Sequence, residues 1–173
     1  METKIARKSN RDDARKWAFF LCAILTAFNT GPAIAQDWSA LPARLAEKVE
    51  AAQRACSEFE NGQFALEFGA VRRVDLDGDL QRDWGLDESG FSCSTAASLY
   101  CGTGGCMSHF LIEDRAFSLL NQGWEMANIG PFRVLLADVH GSQCEGINPT
   151  PCIVASVWDA EEKVWRSTRA EWE

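Results

Sequence analysis

The chain has 173 residues, with 17 Lys and Arg against 25 Asp and Glu and a formal net charge of −8. That balance argues against nucleic acid and anionic lipid as partners, because both need clustered basic side chains. Hydrophobic residues make up 46% of the chain, which at this length is enough to bury the core of one domain.

Lys4, Arg7, Lys8, Arg11, Arg15 and Lys16 precede a short apolar run over 17–28 and then Ala33-Ile34-Ala35. A basic leader, an apolar stretch and a small-x-small site in that order predict a signal peptide over 1–35. Its removal would leave 36–173 as a single globular domain. The apolar run is well short of the roughly 20 residues that span a bilayer, so cleavage is expected rather than anchoring, with no membrane contact afterwards. The leader holds six of the basic and three of the acidic residues, leaving 11 and 22. The mature chain is therefore more acidic still, and its expected location is the periplasm or the exterior.

Cys22 departs with the leader, and Cys56, Cys93, Cys101, Cys106, Cys144 and Cys152 remain. Six cysteines in an exported chain predict three disulfides. Of the 15 possible pairings, spacing favours one. Gly102-Thr103-Gly104-Gly105 is a flexible loop that lets Cys101 meet Cys106, and a Gly- and Pro-containing loop does the same for Cys144 and Cys152. That leaves Cys56 with Cys93. A zinc site is disfavoured, since there is no CxxC pair and the two histidines lack ligand spacing.

In chain order, the first mature element is a helix over 38–59. Ser39 is placed to cap it and Pro42 is tolerated in its first turn. Leu41, Leu45, Val49, Ala52, Cys56 and Phe59 form one apolar stripe, and Asn61-Gly62 offers a stop. From residue 63 the pattern changes to strands. Residues 63–74 alternate, with Phe64, Leu66 and Phe68 on one face. Further strands are expected over 107–113, 117–120, 124–129, 132–139 and 152–159. The last of these turns through 159–162 into 164–168, a closing hairpin that Trp158 and Trp165 would support by cross-strand pairing. The expected fold class is α+β: one N-terminal amphipathic helix packed on a mostly antiparallel sheet, stapled by disulfides. No strand–helix–strand alternation points to a nucleotide-binding fold.

The sharpest chemical signal is Asp75-Leu76-Asp77-Gly78-Asp79-Leu80-Gln81-Arg82-Asp83. Calcium takes six to eight oxygen ligands, and a tight loop aiming alternate Asp side chains inward supplies several. Asp75, Asp77, Asp79 and Asp83 are the candidate metal ligands, and calcium the candidate cofactor. The sixth loop position is Leu80, where such loops carry Gly, and the twelfth is Leu86 rather than a bidentate Glu. Asp87 and Glu88 lie just beyond. The missing ligands imply weak affinity, on the order of 10⁻⁴ to 10⁻³ M. The competing reading is a solvated hairpin with Asp77-Gly78 as its two-residue turn.

No catalytic residue stands out. A cysteine nucleophile needs a free thiol, and the pairing above leaves none. GxSxG is absent, and the Gly-rich loop at 102–105 lacks the Lys and Ser/Thr that bind phosphate. His109 shares a strand face with Met107 and Leu111 and reads as a structural histidine. His140, before Gly141 at a strand end, is a possible surface site.

The acidic loop, the Cys101-Gly-Thr-Gly-Gly-Cys106 loop and His140-Gly-Ser-Gln-Cys144 with its later Cys152 together resemble small uncharacterised exported proteins of Gram-negative bacteria. The acidic loop by itself resembles, more weakly, the calcium loops of FG-GAP and EF-hand-like modules. The first resemblance implies export and disulfides but carries no activity. Two functions fit. One is a binding or structural module of the periplasm, with a protein or glycan of the cell envelope as partner. The alternative is a small periplasmic hydrolase using Asp or Glu for acid–base chemistry. Two carboxylates converging with raised pKa would favour the enzyme, and an exposed aromatic patch the binder.

Overall fold

The computed structural model describes residues 38–168. The expected leader and Trp172 lie outside them. Among the described residues there is one helix, the strand pairs are antiparallel, and three disulfides form. The result is an α+β arrangement with the expected cysteine pairing: Cys56 with Cys93, Cys101 with Cys106, Cys144 with Cys152.

The helix, α1, spans Ala43–Glu58 and begins later than a cap at Ser39 would set. Pro42 is the residue that starts it: its carbonyl accepts from the Leu45 and Ala46 amides, both at 2.9 Å. Proline has no amide hydrogen and a helix-ready φ, so it initiates better than it continues. Leu45, Val49, Ala52 and Cys56 are the buried side chains of α1, and full burial of each large aliphatic one contributes about 1.5–3 kcal/mol. Past the helix, Glu60 and Asn61 take φ of +52° and +56°. The Gly62 amide then donates to the Cys56 and Phe59 carbonyls. A Cβ on Gly62 would lie 2.6 Å from the Cys93 sulfur, so the Cys56–Cys93 bridge itself demands glycine there.

The single strand expected over 63–74 is two. β1 (Phe64–Leu66) and β2 (Val71–Val74) are separated by a turn in which Gly69 has φ +92°. Phe68, expected to share a strand face with Phe64 and Leu66, is instead on that turn and 95% exposed. The two halves also part company in space. β1 pairs with β4 (Phe91–Cys93), and β2 pairs with β3 (Asp83–Asp87).

Two larger sheets complete the fold. In the first, β2, β3 and β6 (Gly105–Ile112) lie in that order, and β5 (Cys101–Gly102) and β7 (Arg115–Asn121) also pair with β6. The second runs β11 (Val164–Ser167), β10 (Ile153–Asp159), β9 (Phe132–Asp138), β8 (Gly123–Ile129). β6 is buried on both faces from Ser108 to Ile112. On one face Leu111 joins Leu45, Val49, Leu66 and Leu86 in a core shared with α1. On the other, Phe110 and Ile112 join Leu135, Val139 and Val154 in a core shared with the second sheet. The closing hairpin forms as expected. Trp158 and Trp165 are directly paired, with ring centroids 5.6 Å apart and edge to face.

Candidate metal centre and two polar clefts

The acidic segment connects β2 to β3, which pair Val74 with Asp83. It is therefore an eight-residue loop over 75–82, not a two-residue turn at Asp77-Gly78. Its carboxylates fold it from within. Asp75 Oδ1 accepts from the Gly78 amide at 2.7 Å, Asp77 Oδ1 from Asp79 at 3.0 Å, and Asp79 Oδ1 from Gln81 at 2.7 Å. Gly78 has φ +88°, and Leu80 takes φ +69° at the position where calcium loops carry glycine.

This fold brings together three of the four candidate ligands. Asp75, Asp77 and Asp83 each present an oxygen, all within 4.8 Å of one another, a group that can hold a metal ion. Asp79 is exposed and turns both carboxylate oxygens onto Gln81. Asp87 and Glu88 belong to other networks, described below. Arg73 and Arg133 brace the backbone of the loop. Arg73 donates to the Asp83 and Arg82 carbonyls, and Arg133 to the Asp75 carbonyl. Among the described residues no ion pair reaches Asp75, Asp77 or Asp83. Burial pushes the Asp83 carboxyl up to about 6, opposed by the Leu76 amide that steadies its charge and aided by the charges of Asp77, Asp79 and Asp75. Asp77 is raised as well, first by burial and then by its acidic neighbours.

Beside the cluster runs an open groove of about 510 Å³. Asp75, Asp77 and Leu80 line it from the loop, Pro131 from the β8–β9 turn, Phe132 from the start of β9, and Trp158 from β10. Leu80 is 91% and Phe132 59% exposed. Converging carboxylates of raised pKa thus meet exposed Leu80 and Phe132 at one place, and of these two only Phe132 is aromatic.

A second polar site centres on Asp87. Its Oδ1 accepts from Ser108 Oγ at 2.5 Å and Trp124 Nε1 at 2.6 Å, and its Oδ2 from Arg72 Nε at 3.0 Å. Asn121 donates to Ser108 Oγ at 2.9 Å. The Arg72 guanidinium lies 3.4 Å from the Trp124 ring centroid. Gly85 makes this stack possible, since a Cβ there would sit 2.9 Å from Trp124 Cζ2. The network joins five strands across both sheets and opens on a cleft of about 300 Å³. Each oxygen of the carboxylate is engaged, so its first role is to bind the sheets together.

A third constellation lies under α1. His109 on β6 stands directly opposite Ser118 on β7. Its Nδ1 is 2.7 Å from Ser118 Oγ, and its Nε2 is 2.9 Å from Glu88 Oε1. Sequence reasoning took His109 as structural and did not single out Glu88 or Ser118 in this role. The signal that would have found the pair is the register of the β6–β7 hairpin. Ile112 pairs with Arg115 across a two-residue turn, which sets 109 against 118.

His140 lies two residues past β9 and caps the 3₁₀ turn over Gly141–Cys144, its Nδ1 accepting from the Ser142 amide at 3.2 Å. The ring contacts Ser142 Oγ at 2.8 Å as well, so both hydrogen bonds of the ring stay within two residues of it. Comparison with models of protein families, with curated proteins and with solved structures finds no match to this chain.

Proposed function

We propose that this chain is an exported, disulfide-stabilised binding module of the cell envelope. In this reading it holds calcium at Asp75, Asp77 and Asp83 and docks a protein or glycan in the adjoining groove. The observation that carries it is the uncompensated carboxylate cluster. Three oxygens converge within 4.8 Å, two of the three groups are raised in pKa, and Arg73 and Arg133 donate to backbone carbonyls of the loop rather than to these carboxylates. A divalent cation relieves that repulsion, and hard oxygens on a tight loop suit calcium. The three disulfides support an oxidising compartment, hence periplasm or exterior, as does the resemblance to exported Gram-negative proteins. Solvent completes the coordination shell, which keeps affinity low. Exposed Leu80 and Phe132 flank the cluster and give a partner apolar surface next to charge.

The acid–base alternative draws on the same carboxylates, because a group near 6 can carry a proton at mild pH. Their spacing favours chelation. Glycoside hydrolysis uses a pair of carboxyl groups flanking the scissile bond, whereas here three converge on one point.

Terbium tests the site, since it takes calcium's oxygen ligands and emits when a neighbouring tryptophan is excited, and Trp158 shares the groove. The full chain is expected to sensitise terbium, and calcium to displace it with a Kd on the order of 10⁻⁴ to 10⁻³ M. Asp77→Ala should remove the emission. Equal emission from wild type and Asp77→Ala would overturn the assignment.

A further inference from the structure

The Glu88, His109 and Ser118 side chains all line a cleft of about 600 Å³ between α1 and the first sheet. We propose that this cleft is an esterase site, with Ser118 as nucleophile, His109 as its general base and Glu88 as the positioning residue that holds the imidazole. The inference does not rest on the calcium reading.

The proton positions follow from the partners. Glu88, as a carboxylate, only accepts, so the hydrogen on the imidazole sits at Nε2, donated across 2.9 Å. Nδ1 is then an unprotonated lone pair, and the Ser118 hydroxyl donates to it across 2.7 Å. An acid that fixes the tautomer, a base nitrogen facing a hydroxyl and a hydroxyl facing a cleft are the parts of an activated serine, recognised by geometry rather than by chain order.

The surroundings divide the labour. His109 is 3% exposed on the strand buried on both faces, so its ring is held rigidly. Ser118 is half-buried on β7, which among the described residues pairs only with β6. Ala51 and Ala55 of α1, Ala116, Leu99 and Met107 give the cleft an apolar wall, and the alanines leave it room. Lys48 also lines it and brings a positive charge to the cleft, the sign that favours a developing oxyanion. An ester with a short apolar acyl group is the class of substrate that fits. A buried histidine needs two partners for stability alone; it does not need a cleft at its serine.

The reaction balances with water as the only co-reactant. Ser118 Oγ bonds to the ester carbonyl carbon while its proton passes to His109 Nδ1. Collapse of the tetrahedral adduct breaks the carbon–oxygen bond of the ester, and the alcohol leaves with that proton. Water then attacks the acyl-serine, again giving its proton to Nδ1, and the carboxylic acid departs as Ser118 recovers its hydrogen. Glu88 stays ionised throughout.

Diisopropyl fluorophosphate with peptide mapping, and p-nitrophenyl butyrate hydrolysis, test this on the full disulfide-bonded chain. A phosphoryl adduct is expected at Ser118. Ser118→Ala should lower kcat/KM by about 10³-fold or more with an unchanged near-ultraviolet circular dichroism spectrum. Glu88→Gln should lower kcat more than it raises KM and shift the acid limb of the pH–rate profile. Ser57→Ala, at the exposed end of α1, should change nothing, and a chelator should leave the rate intact. An adduct only at other residues, or hydrolysis equal in wild type and Ser118→Ala, would overturn the proposal. If Ser118→Ala fails to fold, the adduct map on the wild type decides.

Discussion

Leu80 takes φ +69° with its side chain almost wholly in solvent. A Cβ in the left-handed region costs about 1–2 kcal/mol, and nothing at an exposed tip offsets it by packing. Glycine removes that cost and adds back about 0.5–1 kcal/mol of unfolded-state entropy. Leu80→Gly is therefore expected to stabilise the metal-free protein by about 0.5–1 kcal/mol, read as a higher urea midpoint in chelator. A lower midpoint would mean that Leu80 packs on something. The same loop marks what residue spacing can say. Alternate aspartates over 75–83 announced a carboxylate cluster, and three of them do converge. That Asp79 leaves the group depends on a side-chain hydrogen bond to Gln81, and spacing carries no such direction. Glu88, His109 and Ser118 were illegible for a related reason. They are 21 and 9 residues apart in sequence, and only strand register and the 3₁₀ turn Glu88–Gly90 that follows β3 bring them together.

Elements governed by local rules were legible. The apolar stripe of α1 and the tryptophan-paired closing hairpin are both settled within a few residues of sequence. β3 was not. No strand was expected over 83–87, where charged ends and a central glycine are poor strand formers. The structure explains each departure. Asp83 caps the loop by accepting from the Leu76 amide at 2.8 Å, Asp87 binds Arg72, Ser108 and Trp124, and Gly85 makes room for Trp124. Tertiary partners thus override local preference. The split of 63–74 has the same origin, since β1 and β2 serve different sheets. Among the staples, Cys56–Cys93 closes the longest loop, with a sequence separation of 37. It fastens α1 to the small β1–β4 sheet. Replacing both cysteines by Ala should cost about 3–4 kcal/mol, measured by urea unfolding. A loss below about 1 kcal/mol would show that α1 is held by its apolar stripe alone.

At the scale of the whole molecule, a net acidic chain concentrates repulsion at one loop, and that loop sits on sheets joined by a buried network. A net charge of −8 suits a cation as ligand. It could not say where the charge converges, because that depends on how β2 meets β3. Asp83 also sets the pH response. Its folded pKa of about 6 lies above the ordinary 3.8, so the folded protein binds this proton more tightly than the unfolded chain. The stability from that proton is present at low pH and is lost as pH rises through about 6. The metal-free protein should therefore gain stability between pH 7 and pH 5.5, where calcium should lose its grip as the proton competes for Asp83.

The most direct measurement is a thermal melt of the disulfide-bonded protein at pH 7 and pH 5.5, with millimolar calcium or with chelator, alongside Asp77→Ala. The account predicts a calcium-dependent rise in Tm at pH 7 that shrinks at pH 5.5 and is absent from the variant. No rise at pH 7, or an equal rise in Asp77→Ala, would contradict it and reduce residues 75–83 to a loop that folds on its own hydrogen bonds.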